Sequence, residues 1–372
     1  MSLDQPQNTE PTADDDGDKK NVTYIQRVQK RDLEDILADN LTGVFGERFT
    51  SYRKQYLGSL NEANAPFVPD YPITVGFEMV NRCNLNCIMC YTINHSAPKA
   101  ALTDEQIGSV LAEGQKNNLP AVIVGLGSEP LLYKKIRSVF DAIREAGVMD
   151  VFLNTNGVLL TPSLSEHIVK TGITRVQVSL DAATRETFKV IRGKDELDLI
   201  ERNLHGLVEA RKKAGTELPI IRVSFCVQKE NAHERQAFID KWKDVVDYVD
   251  FQAMSDFDYV DEIKESGEVE RLKDTERYNN PTETFCPLPF NSLHVWSNGN
   301  ITPCCVFYGM NLVMGNINEQ TLEEVWNGEP IKELRKEITT GNLNPSCRTC
   351  LAERDHSLLE SSDTTKPAEA AE

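Results

Sequence analysis

The chain has 372 residues, of which 40% are hydrophobic and 26% are charged, and its formal net charge is −18. This composition is that of a globular protein long enough for one large core and a smaller module. No apolar run approaches the length of a membrane span, and the first twenty residues lack the basic start and hydrophobic segment of a secretory signal. We therefore expect a cytoplasmic protein with no membrane partner.

Acidic residues are concentrated at both ends of the chain. Residues 1–20 hold six acids against two lysines, and residues 351–372 hold six acids against two basic residues, which leaves a net charge of −10 between them. Such polar segments cannot bury enough apolar surface to offset the entropy lost on ordering, so residues 1–22 and 356–372 are predicted to be disordered tails. The acidic body repels phosphate backbones and disfavours a nucleic-acid substrate.

Short apolar strands alternate with amphipathic helices through the middle of the chain. Thr103, with Gln106 three residues later, has the capping-box pattern that begins a helix. The alternation predicts an α/β fold, a partial (βα)6 TIM-type barrel over residues 71–252. Helical spacing of apolar residues over 23–60 predicts that residues 23–70 form a helical segment. The six predicted strands are residues 73–80, 121–124, 151–153, 174–180, 220–227 and 249–252.

Three cysteines directly follow the first predicted strand. The sequence NRCNLNCIMCY places Cys83, Cys87 and Cys90 at CxxxCxxC spacing. Cytoplasmic thiols stay reduced, which favours metal ligation over disulfides. Because a closed structural metal site normally has four protein ligands, three cysteines predict a metal centre with one position open to an exchangeable ligand. A zinc loop and plain core cysteines are the alternatives.

A second group of cysteines follows an acid-rich segment, residues 253–283, which is predicted to be a linker. Residues 284–355 contain a predicted hairpin with Asn298 and Gly299 at its turn, then a helix around residues 322–334, and are expected to form a small α+β domain. The candidate metal ligands here are Cys286, Cys304, Cys347 and Cys350. Cys305 is an alternative to Cys304, and a structural zinc site is an alternative to an iron-sulfur cluster.

The cysteine loop resembles the cluster loop of radical S-adenosylmethionine (SAM) enzymes, including the aromatic Tyr91 behind the last cysteine. In that family the three cysteines hold a [4Fe-4S] cluster whose fourth iron binds SAM. Gly127, Ser128 and Glu129, followed by Pro130, resemble the GGEP segment that holds the SAM amino group, with Ser128 in place of its second glycine. The resemblance thus implies a partner for the open position of the metal centre.

Later strand ends extend this resemblance. Ser179 and Asp181 resemble the polar pair near the SAM ribose and carboxylate, and Arg192 with Gly193 resembles an Arg-Gly element whose arginine pairs with that carboxylate. Val227 resembles the adenine-side segment. Asn154 and Asn156, in the sequence NTNG, fit equally a strand-to-helix turn and a pocket lining.

The C-terminal cysteines resemble the auxiliary-cluster extension called SPASM, or its shortened twitch form. The full extension has seven cysteines and two clusters, whereas no cysteine follows Cys350 in this chain. The resemblance therefore implies one auxiliary [4Fe-4S] cluster with four cysteine ligands. Such a complete ligand set favours electron transfer or a structural role over substrate binding.

The resemblance implies an enzyme of oxidoreductase or epimerase type. It would cleave SAM reductively to a 5′-deoxyadenosyl radical, which abstracts hydrogen from the substrate, and would need a reducing partner such as flavodoxin or ferredoxin. Residues 1–70 lack the pattern of a winged-helix leader-binding module, which favours a small polar substrate such as a sugar. A peptide-modifying radical SAM enzyme is the alternative, and a non-catalytic metal-binding scaffold is the second alternative.

Overall fold

A computed structural model describes residues 24–60, 67–90, 99–253, 285–305 and 307–353. The predicted tails, Tyr91 and nearly all of the predicted acidic linker lie outside these ranges. Within them, no helix combines the length and apolar character needed to cross a membrane.

Ten strands of the described chain form one mixed sheet, in the order β1-β7-β6-β5-β4-β3-β2-β8-β9-β10. Strands β2 to β7 are parallel neighbours and match the six strands predicted from the sequence. This confirms the α/β fold and the partial (βα)6 barrel, which is not closed. The strands are β1 (Tyr24–Gln29), β2 (Thr74–Phe77), β3 (Ala121–Val124), β4 (Asp150–Thr155), β5 (Arg175–Ser179), β6 (Ile220–Val227), β7 (Tyr248–Ala253), β8 (Ser292–Val295), β9 (Asn300–Thr302) and β10 (Gly315–Asn316).

The C-terminal strands continue the barrel sheet. Strand β8 pairs in parallel with β2, and β9 pairs antiparallel with β8 in the predicted hairpin. A C-terminal region that shares a sheet with the barrel can place its own side chains inside that barrel.

Helices cover the outer face of the barrel and the C-terminal region. As predicted, Thr103 and Gln106 form a capping box at the start of α3. The helices are α1 (Leu33–Phe45), α2 (Glu47–Ser59), α3 (Asp104–Lys116), α4 (Ile136–Glu145), α5 (Pro162–Thr171), α6 (Arg185–Arg192), α7 (Leu197–Lys213), α8 (Arg235–Trp242), α9 (Leu288–Asn291), α10 (Leu322–Trp326), α11 (Glu329–Thr340) and α12 (Pro345–Glu353).

Two predicted helical segments differ from the structure. The helical pattern from residue 23 is wrong at its start, because residues 24–29 pair antiparallel with β7 as strand β1. The single helix predicted around residues 322–334 is divided into α10 and α11. Gly328 caps the second helix and Pro330 lies in its first turn, where proline is tolerated but cannot continue a preceding helix.

Side chains alternate along the barrel strands, and in several of them the outer face is apolar and the inner face carries polar residues. In β6, Ile221, Val223 and Phe225 are fully buried in the main hydrophobic core. The residues between them, including Arg222 and Ser224, face the inside of the barrel because successive strand side chains point to opposite faces. Polar residues of several strands therefore surround an internal cavity of about 240 Å³, here called the lumen cavity.

Buried ion pairs lie at the amino-terminal end of the barrel strands. Asp150 accepts hydrogen bonds from the Tyr52 hydroxyl (2.8 Å) and from Arg175 Nη2 (2.8 Å). Asp250 lies 3.0 Å from Arg222 Nε. These contacts fix the base of the barrel, opposite the strand ends that carry the candidate site.

Candidate active site and auxiliary cysteine site

The cysteine loop, residues 81–90, follows β2 and lies against the end of α6. The amide of Asn86 donates to the carbonyl of Arg192 (3.1 Å), and the amide of Ile88 donates to the carbonyl of Ile191 (2.9 Å). Gly193 has a φ of 71°, and a Cβ there would lie 2.5 Å from the carbonyl oxygen of Asn86. Glycine is suited to this left-handed and crowded position. The Arg-Gly element thus allows α6 to hold the loop.

The loop thiols lie beside a cation and an amide. Cys87 is buried, and its Sγ lies 3.4 Å from Arg192 Nη1. Cys83 is exposed, and its Sγ lies 3.6 Å from the side-chain amide of Asn156, while Cys90 is half-buried. Burial raises the pKa of Cys87, and Arg192 offsets part of the increase. Metal binding to these thiols would displace their protons.

Glu129 lies behind the loop and is 2% exposed. Its carboxylate accepts hydrogen bonds from the Thr155 hydroxyl (2.8 Å), the Asn156 amide (2.7 Å) and the Leu131 amide (3.0 Å). Burial raises the pKa of Glu129 to about 7, although these three hydrogen bonds lower it. The carboxyl group is therefore close to half-ionised at neutral pH.

Asn156 connects Glu129 to the cysteine loop. Besides its backbone bond to Glu129, it donates from its side chain to Asn84 Oδ1 (2.7 Å). Its own Oδ1 accepts from the amide of Val158 (3.0 Å), as in a local turn. Asn156 thus forms the turn and contacts the cysteine loop, whereas Asn154 lines the lumen cavity.

Residues 127–129 form hydrogen bonds to the chain where it enters the cysteine loop. The Ser128 hydroxyl donates to the carbonyl of Val80, and the Glu129 amide donates to the carbonyl of Arg82 (3.0 Å). Gly127 is half-buried beside them. These bonds hold residues 127–129 against the start of the cysteine loop.

Asp181 and Arg192 form a buried ion pair, with 2.5 Å between Oδ2 and Nη2. Asp181 has a φ of 64°, and its Oδ1 accepts from the amide of Cys226 (2.7 Å). Burial alone would lower the pKa of Arg192, but Asp181 and Cys87 raise it above its ordinary value. The Nε of Arg192 has no hydrogen-bond partner within the described part of the chain. Asp181 therefore orients Arg192 toward the cysteine loop.

The remaining predicted SAM contacts lie at neighbouring strand ends. Ser179 ends β5 and accepts a hydrogen bond from the Ser224 hydroxyl (3.4 Å), and Val227 ends β6 as a half-buried side chain. Both lie at the carboxyl ends of parallel strands, as the cysteine loop does. Tyr91 lies outside the described residues.

The four C-terminal cysteines line one cavity. Cys304 is 8% exposed, and a Cβ on Gly309 would lie 2.0 Å from its Sγ. The alternative residue, Cys305, lines the lumen cavity instead. Around the four thiols the lining is largely apolar. The cavity residues include Cys286, Cys304, Cys347, Cys350, Leu288, Pro289, Leu312, Leu334 and Leu351.

Burial dominates the chemistry of this second site. It raises the pKa of Cys304 well above the ordinary value and that of Cys347 to about 12. The side-chain amide of Asn344 lies 3.4 Å from Cys347 Sγ and partly opposes the increase. Four such thiols fit a metal centre whose protein coordination is complete.

Both cysteine sets have the ligand type of an iron-sulfur cluster. Among the side chains that the structure describes, no three Cys, His, Asp or Glu residues are arranged to hold a single metal ion. In an iron-sulfur cluster each cysteine binds a different iron, so the thiols are farther apart than the ligands of one ion. The loop could hold a cluster with one iron left for another ligand, and the C-terminal set could hold a cluster with none.

Glu78 is a site residue that the sequence analysis did not identify. It follows β2 directly, is 5% exposed, and accepts hydrogen bonds from the hydroxyl (2.6 Å) and amide (3.3 Å) of Ser297. Burial raises its pKa. Ser297 belongs to the turn between β8 and β9, so Glu78 links the barrel to the C-terminal hairpin. An acid directly after a barrel strand was the signal that could have identified it.

Solved structures share this architecture. The chain is similar to Streptococcus suis SuiB bound to precursor peptide SuiA, with a TM-score of 0.52 and 18% identity, covering 76% of this chain and 70% of that chain. It is also similar to native anSMEcpe with bound AdoMet (SAM), with a TM-score of 0.53 and 18% identity, covering 72% of this chain and 84% of that chain. At this identity the likeness shows the fold alone.

Two protein-family models match the chain. The radical SAM superfamily model matches residues 77–241, and the SPASM model, an iron-sulfur cluster-binding domain, matches residues 286–351. The chain therefore contains a radical SAM domain and, C-terminal to it, a SPASM domain. These domains imply a SAM-binding [4Fe-4S] cluster, SAM itself and an auxiliary cluster.

Curated relatives match somewhat less than half of the chain. The "Probable GTP 3′,8-cyclase" of Methanocaldococcus jannaschii is 28% identical over 168 residues, which are 45% of this chain and 54% of that protein. The AdoMet-dependent heme synthase of Methanosarcina barkeri is 32% identical over 164 residues, 44% of this chain and 45% of that protein. The chain thus matches about half the length of these relatives.

Proposed function

We propose that the chain is a radical SAM enzyme that abstracts hydrogen from a small polar substrate. The observation that carries the proposal is the arrangement at the end of β2. Three thiols lie there with Arg192 against Cys87 and Asn156 against Cys83, and the strands of the same barrel enclose a cavity with polar side chains on its wall. A purely structural metal loop needs neither the buried cation nor the polar cavity.

In this proposal Cys83, Cys87 and Cys90 hold the cluster and leave one iron for SAM. Reduced cluster, when bound, supplies the electron that cleaves SAM to methionine and a 5′-deoxyadenosyl radical. Arg192, held by Asp181, compensates the negative charge of the Cys87 thiolate. Its Nε, which has no hydrogen-bond partner among the described residues, is available to an acceptor on a bound ligand.

The other SAM-binding residues in this proposal surround that centre. Glu129 carries partial negative charge near neutral pH and suits the SAM amino group, with Gly127 and Ser128 beside it. Asn156 connects Glu129 to the cysteine loop through hydrogen bonds to both. The full proposed set is Tyr91, Gly127, Ser128, Glu129, Ser179, Asp181, Arg192 and Val227.

We assign the auxiliary cluster to Cys286, Cys304, Cys347 and Cys350. Four thiolates leave no iron for substrate, so the role proposed for this cluster is electron transfer. Zinc is the alternative occupant, and the match to an iron-sulfur cluster-binding domain favours the cluster.

The substrate proposed is a small polar molecule such as a sugar. The amide and imidazole side chains around the lumen cavity support it, and the names of the curated relatives refer to GTP and heme. The second candidate is peptide modification. It is favoured by SuiB bound to a precursor peptide and by anSMEcpe with a peptide, the latter at a TM-score of 0.52 and 17% identity.

The decisive experiment is anaerobic reconstitution with iron and sulfide, followed by dithionite and SAM. We expect 5′-deoxyadenosine from the wild-type protein and none from Cys87→Ala, measured by chromatography with mass spectrometry. Wild-type protein without dithionite is the control for chemical breakdown of SAM. An intact cluster that yields no 5′-deoxyadenosine would instead support the non-catalytic metal-binding scaffold.

A further inference from the structure

The lumen cavity has a buried histidine on its wall. His294 belongs to β8 and is 1% exposed. Its Nδ1 has no hydrogen-bond partner among the residues that the structure describes. Burial lowers the pKa of the imidazole to about 3, so the ring is neutral at physiological pH. A buried polar atom without a partner costs on the order of 1–3 kcal/mol, which makes an external partner the simplest explanation.

The neighbouring strand leaves space for this imidazole. Gly76 of β2 lies opposite His294 in the sheet register, and a Cβ there would lie 2.4 Å from His294 Cδ2. Glycine weakens a strand interior and often marks close approach of another group. The glycine therefore accommodates the ring at the cavity wall.

The charges around the cavity are already paired. Arg175 is bonded to Asp150, and Arg222 lies 3.0 Å from Asp250. Both aspartates are fully buried, and none of the described lining residues is an acid. A strongly charged ligand would have to compete with these existing ion pairs.

Neutral hydrogen-bonding groups make up much of the remaining wall. Asn154, Gln177 and Gln252 line it with side-chain amides, while Ile123 and Phe152 supply apolar surface. One N–H of Asn154 already donates to the Gly125 carbonyl (3.1 Å) and one N–H of Gln177 to the Ser224 hydroxyl (3.3 Å), so each of these two amides can offer a ligand its carbonyl oxygen and its second N–H. This combination suits a ring that has hydroxyl groups at its edge and C–H groups on its faces. The volume of about 240 Å³ lies below the roughly 300 Å³ at which pockets for drug-sized ligands begin.

We propose that the lumen cavity is a subsite for an uncharged, hydroxylated ring the size of one monosaccharide, and that His294 hydrogen-bonds one of its hydroxyls. The inference rests on the proposed function, because this ring would be all or part of the small polar substrate. His294 comes from the C-terminal SPASM region, so that region would help to select the substrate as well as hold a cluster.

Saturation-transfer NMR on the reconstituted protein tests the subsite. The probes are the methyl glycosides of glucose, mannose, galactose and N-acetylglucosamine, with N-acetylglycinamide as the peptide-like probe. We expect saturation of at least one glycoside and a loss of roughly fivefold in its affinity in His294→Phe, as for one lost hydrogen bond. His294→Asn, whose side chain can replace Nδ1, should restore binding if the phenylalanine variant is unstable.

The matched control is His205→Phe. His205 is exposed on α7 and does not line the lumen cavity. Its ring centroid lies 5.7 Å from that of Trp242. The His205→Phe variant should bind the glycosides as the wild-type protein does. Circular dichroism and unfolding midpoints will show that each variant is folded.

The outcomes separate the subsite from the proposed function. No saturation of any glycoside, equal binding by His294→Phe, or saturation of N-acetylglycinamide alone would overturn the subsite. The last result would favour a peptide. Formation of 5′-deoxyadenosine by the wild-type protein is measured separately, so glycoside binding without it would contradict the proposed function and retain the subsite.

Discussion

The two cysteine sites differ most in what surrounds their thiols. In the cysteine loop, Arg192 lies against Cys87 and Asn156 against Cys83. The C-terminal cavity instead surrounds its four thiols with leucine and proline side chains. Protein groups therefore help to stabilise negative charge on the thiolates of the cysteine loop. At the C-terminal site a metal centre would supply most of that stabilisation.

This difference matches the number of ligands at each site. The loop has three cysteines and buried polar groups that can adjust to a ligand added at an open position. At the C-terminal site, burial and neighbouring thiols both raise the pKa of Cys304. Burial also raises the pKa of Cys347, and metal binding would displace the protons of these two thiols, which suits a permanently ligated cluster.

The largest expected effect is a difference in activity between variants of the two cysteine sites. Cys87→Ala should abolish 5′-deoxyadenosine formation, whereas the Cys347→Ala, Cys350→Ala double variant should retain it. Iron analysis should find about eight atoms in the wild-type protein and about four in the double variant. A count near four iron atoms in both the wild-type protein and the double variant would assign the C-terminal site to zinc or to no metal.

A matched pair of variants sharpens the C-terminal assignment. Cys304→Ala should lower the iron content, and Cys305→Ala should not, because only Cys304 lines the four-thiol cavity. The opposite result would exchange the roles of these neighbouring residues.

The second prediction concerns the buried charge at the cysteine loop. Arg192→Gln should lower the free energy of unfolding by about 3–5 kcal/mol, because it leaves Asp181 buried without its cation. Urea unfolding under anaerobic conditions measures the change. The control is Arg185→Gln, which breaks the exposed pair with Asp195 and should have little measurable effect. Equal effects in both variants would contradict a special role for the buried pair.

The third prediction tests the tight packing of the auxiliary site. Gly309→Ala places a methyl group 2.0 Å from the Cys304 Sγ position, so it should lower stability by about 1–3 kcal/mol and reduce auxiliary iron. Gly206→Ala on α7 is the control, because its Cβ would meet nothing within 4 Å. It should stabilise the helix by up to about 1 kcal/mol. Full iron content in Gly309→Ala would disprove the close approach of residue 309 to the Cys304 Sγ.

The fourth prediction is a pH dependence at Glu129. The folded protein retains this proton up to about pH 7, whereas the unfolded chain releases it near the ordinary value of 4.5. The folded state therefore binds more protons between these values, and the contribution of Glu129 to stability decreases as pH rises through them. Urea midpoints measured across this interval should decrease less in Glu129→Gln. Parallel curves for the two proteins would contradict the raised pKa.

Much of the barrel could be predicted from local sequence. The apolar runs that became β2 to β7, the capping box at Thr103 and the hairpin turn at Asn298 and Gly299 each depend on residues close together in the chain. Strand β1 could not be predicted in this way. Its residues have helical spacing, and pairing with β7, more than 200 residues away, overrides that local preference.

The sequence by itself determined that three thiols follow one strand and that five more, Cys305 among them, lie in the C-terminal region, since spacing and hydrophobic period are local properties. Only the tertiary structure showed that Cys304 shares a cavity with the other three cysteines while Cys305 lines the lumen cavity. Both cysteines lie just after β9 ends at Thr302, and one sequence step there separates two compartments. The contacts of Arg192 with Asp181 and Cys87, and the position of His294 opposite Gly76, likewise depend on strands and loops that meet only in the folded chain.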